Sequence, residues 1–109
     1  MTTYLLNSPV LTDYGHWKFE RLEIQAAQAV LRGGFESAVG HSETADFLCQ
    51  LLALEVRVNR ATIRMKPGDQ AIVFRLLMRL PENIVLAGDE LTRQDFEFGR
   101  LTFLRQSTS

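Results

Sequence analysis

The chain has 109 residues, enough for one domain with a single core, and is 46% hydrophobic and 23% charged, as ordinary globular proteins are. A formal charge of −1 argues against a coat for duplex DNA, which needs a broad basic surface, but it leaves room for a small basic pocket. One cysteine forms no intrachain disulfide, no apolar run approaches a membrane span, and two histidines without metal-ligand spacing do not point to a structural zinc site.

In chain order, Tyr4 to Asn7 reads as a first strand stopped by Ser8-Pro9, because proline cannot donate to a ladder. Asn7, a polar amide at the end of an apolar run, either caps the turn or faces a ligand. Thr12-Asp13-Tyr14-Gly15 carries turn signals. His16 to Leu22 alternates, with Trp17, Phe19 and Arg21 on one side and His16, Lys18 and Glu20 on the other, as a half-exposed strand does. His16 belongs to the solvated side. Glu23 to Arg32 follows as a helix with an apolar stripe of Ile24, Ala27, Val30 and Leu31, stopped by Gly33-Gly34.

Phe35 to Val39 reads as a short strand. After it, Ala45, Leu48, Cys49, Leu52 and Ala53 fall at the spacing of one buried helical face, which makes Cys49 a small core residue. Gly40-His41-Ser42 is the turn between the two. The first turn of a helix has N–H groups without intrahelical partners and a partial positive charge, so this turn can take a phosphate and carries a histidine beside it. A capping or solvated histidine is the competing reading.

Val56 to Met65 and Ala71 to Leu80 read as two strands joined by a turn at Lys66-Pro67-Gly68-Asp69, the second nearly all apolar and therefore central. Pairing them symmetrically about Pro67-Gly68 sets Arg60 opposite Arg75. Arg60, Arg75 and Arg79 then share one sheet face, while Ile63, Met65, Ile72, Phe74, Leu76 and Met78 share the other. Such a face is either a floor for phosphates, which guanidinium forks fit, or a set of internal salt bridges. Pro81-Glu82-Asn83 ends the strand, with Glu82 near Arg79. Asp89 caps a short helix over 90–96, Gly99 stops it, and Leu101 to Leu104 is the last strand. The ordered core is expected over about 3–105, with a polar tail at 106–109. The N-terminus shows no basic region leading into a signal-like apolar block, so a cytoplasmic setting is expected.

Asn7, Ser37-Ala38-Val39-Gly40-His41, Asn59-Arg60 and Arg79-Leu80-Pro81-Glu82 occur in the order and at the spacings that resemble the viral ring nucleases, the type III anti-CRISPR proteins and their bacterial relatives. The resemblance runs from Tyr4 to about Leu104. It implies an α+β fold, a mixed β-sheet flanked by helices in a single small domain that forms a symmetric homodimer. It also implies a substrate, cyclic tetra-adenylate, bound across the two-fold axis and cut without metal or cofactor into linear di-adenylate ending in a 2′,3′-cyclic phosphate. On the matching positions His41 is the catalytic histidine, Arg79 and Glu82 support it, and Arg60 and Asn7 contact the ligand. Arg75 stands where a relative has glutamine. Ser8 and Ser42 are the nearest counterparts of the family's serines, and Gly40, in the same turn as His41, is placed with them among the ligand-binding residues. The alternatives are a homodimer that binds a cyclic oligonucleotide or nucleic acid without cutting it, and a scaffold protein of a virus or mobile element.

Overall fold

A computed structural model describes residues 1–77 and 96–107. Within them lie β1 (Thr3–Leu6), β2 (Gly15–Leu22), α1 (Ile24–Arg32), β3 (Glu36–Ser37), α2 (Ser42–Leu52), β4 (Gln70–Leu76) and β5 (Phe96–Gln106). The strands form one mixed sheet in the order β2-β5-β4-β1-β3. β1 runs parallel to both β3 and β4, whereas β5 is antiparallel to both β4 and β2. The fold is α+β, as the resemblance implies.

Alternation along the strands sends side chains to two clusters. Leu5, Ile72, Phe74, Phe96 and Phe98 meet Ala27 and Leu31 of α1 and Ala45, Phe47, Leu48 and Leu52 of α2, so both helices cover the same face. Four phenylalanines knit that layer. Phe74 lies 5.7 Å from both Phe47 and Phe98 and 5.6 Å from Phe96, ring centre to ring centre, and the Phe47–Phe96 and Phe96–Phe98 pairs meet edge to face. The opposite face buries Tyr4, Leu6, Ala71, Val73, Leu101 and Phe103 beneath Met65, Ile63 and Trp17, the indole stacking on Phe103 at 4.1 Å. β4 lies between β5 and β1 with Ala71 to Phe74 buried, the doubly covered strand its composition requires.

The helices end for reasons in their sequence. α1 closes on Gly33 and Gly34, whose N–H groups reach the Val30 and Leu31 carbonyls, and Gly34 takes the left-handed φ of 107° that glycine tolerates. The sequence spacing places Ala53 on the apolar face of α2. Instead it terminates the helix in a left-handed conformation (φ 54°) and is exposed, and Phe47 supplies burial that the periodicity missed.

The expected hairpin does not form. The Lys66–Asp69 turn is present, with the Asp69 N–H reaching the Lys66 carbonyl at 2.9 Å, but β4 pairs with β1 and β5 and not with residues 56–65. Residues 57–62 are exposed throughout, too polar to cover a sheet, and among the described residues their one ladder contact is a parallel bridge between Val58 and Val39. Ile63 and Met65 consequently pack on the face of Val73, opposite Ile72 and Phe74, and Arg60 does not oppose Arg75. Gly99 lies inside β5 and does not stop a helix, and Phe96 already belongs to the strand. The side chain that Gly99 lacks makes room for Phe19, whose ring would come within 2.4 Å of a Cβ there. The expected helix cap at Asp89, with residues 90–95, lies outside the described residues.

Candidate functional site

Because β1, β3 and β4 are parallel, their carboxyl ends lie along one edge of the sheet, where open α/β sheets collect their ligands. Register places Asn7 and Ser8 there. Leu5 stands beside Ser37 and its carbonyl accepts the Ala38 N–H, so the chain leaving β1 runs next to the chain climbing to Gly40 and His41. Asn7 is half-buried and Ser8 exposed.

His41 occupies the N-cap position of α2 with extended backbone (φ −121°, ψ 131°). Its carbonyl accepts the first helical bond from Ala45 at 3.0 Å, while its side chain makes no capping bond and is exposed. The imidazole is thus available for chemistry, beside helical N–H groups that no side chain caps. Ser42 donates from its hydroxyl to Glu43 at 3.2 Å, in the same first turn.

Arg60 reaches this turn by a route the sequence pattern did not reveal. Its Nε donates to the Gly40 carbonyl at 2.9 Å, and its stem lies on Gly40, where a Cβ would meet Arg60 Cγ at 3.4 Å. The outer nitrogens of the fork are therefore what a phosphate would meet. Asn59 holds the arrangement. Its N–H bonds the Val39 carbonyl (2.8 Å), its side-chain amide donates to the Ser37 carbonyl (2.8 Å), and its Oδ1 accepts the Ala61 N–H (3.1 Å). Ser37 adds a hydroxyl bond to the Arg57 carbonyl at 2.6 Å. The sequence marks position 59 only as the neighbour of Arg60, because its bonds depend on a segment that is not a regular strand.

Arg75 does not join this group. It donates to Glu97 at 2.9 Å, and its guanidinium stands 6.0 Å from the centre of the Phe19 ring, while Arg21 approaches the same carboxylate at 4.0 Å. Of the two readings of the arginine face, Arg75 follows the internal salt bridge. Arg79 and Glu82 lie outside the described residues. Cys49 is part of the helix packing, with its sulfur between the N–H and carbonyl of Val56 at 3.1 and 3.4 Å.

A family model described as STIV B116-like matches residues 3–98. The chain belongs to the STIV B116-like family. Among similar proteins, the uncharacterized protein YddF of Bacillus subtilis (strain 168) is 36% identical over 107 residues, covering 95% of this chain and 99% of that protein. ORF117 of Acidianus two-tailed virus, also uncharacterized, is 36% identical over 89 residues, or 76% of each chain. The solved structure of B116 from Sulfolobus turreted icosahedral virus superposes with a TM-score of 0.78 at 21% identity, over 94% of this chain and 99% of that one. This B116-like chain therefore shares its fold with a viral protein and most of its length with a bacterial one. Among the described residues no helix is long and apolar enough to cross a membrane.

Proposed function

We propose that this B116-like protein is a ring nuclease: a homodimer that binds cyclic tetra-adenylate across its two-fold axis and opens it to linear di-adenylate. The observation that supports the reading best is the exposed imidazole of His41 at the start of α2, beside an arginine fixed to the same turn through the Gly40 carbonyl. Uncapped helical N–H groups and a guanidinium fork suit a phosphate diester, and a neighbouring imidazole suits proton transfer to it.

In the proposed reaction a ribose 2′-hydroxyl attacks the adjoining 3′-phosphorus. The new P–O2′ bond closes the 2′,3′-cyclic phosphate as the P–O5′ bond breaks; the 2′-hydroxyl proton is released to solvent, His41 donates a proton to the departing 5′-oxygen, and the same step at two opposite phosphates yields two di-adenylates. No water needs positioning, so the protein's task is in-line geometry and charge balance. Arg60 holds a phosphate, Asn7 contacts the ring, and the turn at Gly40 and Ser42 offers main-chain donors. Arg79 offsets the developing charge, with Glu82 orienting it.

Labelled cyclic tetra-adenylate incubated with the protein in EDTA tests this directly. We expect linear di-adenylate ending in 2′,3′-cyclic phosphate. His41→Ala should lose cleavage by about a hundred- to ten-thousand-fold, the usual contribution of general acid catalysis, while still binding the ring. A wild-type cleavage rate in that variant would remove His41 from the mechanism. Tight binding with no product from the unaltered protein would leave a binding module in place of an enzyme.

A further inference from the structure

β2 forms one border of the sheet, and among the described residues no strand pairs with its outer side. Which of its main-chain groups face outward follows from β5. Phe103 gives its N–H to the Asp69 carbonyl and accepts the Gly68 N–H, so its polar groups turn away from β2. The side of bonding alternates along a strand, so Leu101 and Gly99 turn the same way. Their partners on β2 are Trp17, Phe19 and Arg21, whose own N–H and C=O groups therefore point to the open border.

Charged residues ordinarily guard such a border against pairing. Here their order does the reverse. Trp17-Lys18-Phe19-Glu20-Arg21 is its own complement when two copies run antiparallel about Phe19. Phe19 meets the partner's Phe19, Lys18 meets the partner's Glu20 on one face, and Trp17 meets the partner's Arg21 on the other. The outward-facing groups of residues 17, 19 and 21 then satisfy one another completely. Other registers fail. Centring on Arg21 sets two guanidinium groups face to face, centring on Lys18 or Glu20 opposes like charges, and centring between two residues puts the outward N–H groups out of step. Centring on Trp17 sets Lys18 against His16 and loses both ion pairs. The charges are also within reach of a partner: the Lys18 and Arg21 side chains are 62% and 73% exposed, and Lys18 already lies 3.2 Å from Glu20 of its own chain.

We propose that β2 is a self-association edge, through which a second copy of this chain adds antiparallel about Phe19 to make one continuous sheet. The contact lies at the border opposite β3, so it differs from the two-fold that would gather His41 and its twin, and it holds whether or not the protein cuts a cyclic nucleotide.

Amide hydrogen exchange on the unaltered protein, over a concentration series reaching about 1 mM, tests the proposal residue by residue. The Trp17, Phe19 and Arg21 amides should exchange more slowly as concentration rises, whereas those of Lys18 and Glu20, bonded to β5, should not change. Exchange at one rate throughout the series would overturn it. Sedimentation of charge variants gives a second reading. Lys18→Glu or Glu20→Lys alone places like charges at both crossings and should weaken association by about tenfold, and the double exchange should restore it. A double variant that associates no better than either single one would also overturn the assignment.

Discussion

His41 and Arg60 owe their proximity to backbone, and Asn59 is the residue that arranges it. A carboxamide at this position does two things: Oδ1 accepts the Ala61 N–H, and Nδ2 donates to the Ser37 carbonyl. Aspartate would keep the first bond and lose the second, setting a carboxylate against a carbonyl. The 59–61 turn would survive while its tie to the tail of β3 is cut. We expect Asn59→Asp to weaken the proposed binding of cyclic tetra-adenylate by about tenfold, the scale of one charge-assisted hydrogen bond put out of place. If Asn59 works through Arg60, that loss should vanish in an Arg60→Ala background, a coupling that separate, independent sites would not show. Binding measured on all four combinations in a His41→Ala background avoids turnover. Strictly additive losses would make Asn59 a structural residue only.

At the scale of elements, α2 ends on Ala53, an exposed alanine held at φ 54°. The left-handed conformation costs a side-chain-bearing residue about 1–2 kcal/mol, of which glycine is relieved at some loss of unfolded-state entropy. Ala53→Gly should therefore stabilise the fold by about 0.5–1 kcal/mol, seen as a higher urea midpoint at unchanged slope. A lower midpoint would mean that the methyl group contributes packing its exposure does not suggest. The same elements show how far sequence patterns reach. α1, α2, the His41 turn, the alternation of β2 and the burial of β4 were legible, because each is fixed by local periodicity or by glycine and proline. The partner of β4 was not. Turn chemistry at Lys66–Asp69 signals a reversal, but it cannot say whether the chain before it is a strand. Residues 57–62 carry β-compatible alternation without the apolar side chains that would bury it. Gly99 is ambiguous for a related reason: glycine ends helices, and it also makes room inside a strand for a neighbour's ring, here that of Phe19. Arg60 therefore reaches the Gly40 turn through residues no periodicity could pair, and Arg75 goes to Glu97.

Across the whole molecule the two ends of the sheet divide the work. The carboxyl ends of β1 and β3 carry the candidate site, and the amino end of β4 carries the ties that close the chain. There the buried Asp69 carboxylate accepts the N–H groups of Thr2 and Lys66, both at 2.9 Å, and Asp13 receives two bonds from Arg64 at 2.7 and 3.1 Å. That second contact joins the β1–β2 connection to the segment before β4, over the face that Trp17 and Met65 cover. The hydrogen bonds from Arg64, and then its charge, hold the Asp13 carboxyl below its ordinary value of 3.8 against the opposing effect of burial. A carboxyl more acidic in the folded state stabilises that state above its unfolded pKa and ceases to do so as pH falls through the folded one. Asp13→Asn should accordingly lower the denaturant midpoint at pH 7 and converge with the unaltered protein as pH drops below about 4, where the aspartate itself takes up a proton. Because the ion pair sits at the end of the sheet away from His41, the proposed cleavage of cyclic tetra-adenylate should be unchanged at neutral pH and low temperature. Denaturation curves at a series of pH values, paired with one rate measurement, check both halves. A midpoint gap that persists undiminished into acid would show that the variant acts through packing, and a lost rate would show that the two ends of the sheet are coupled.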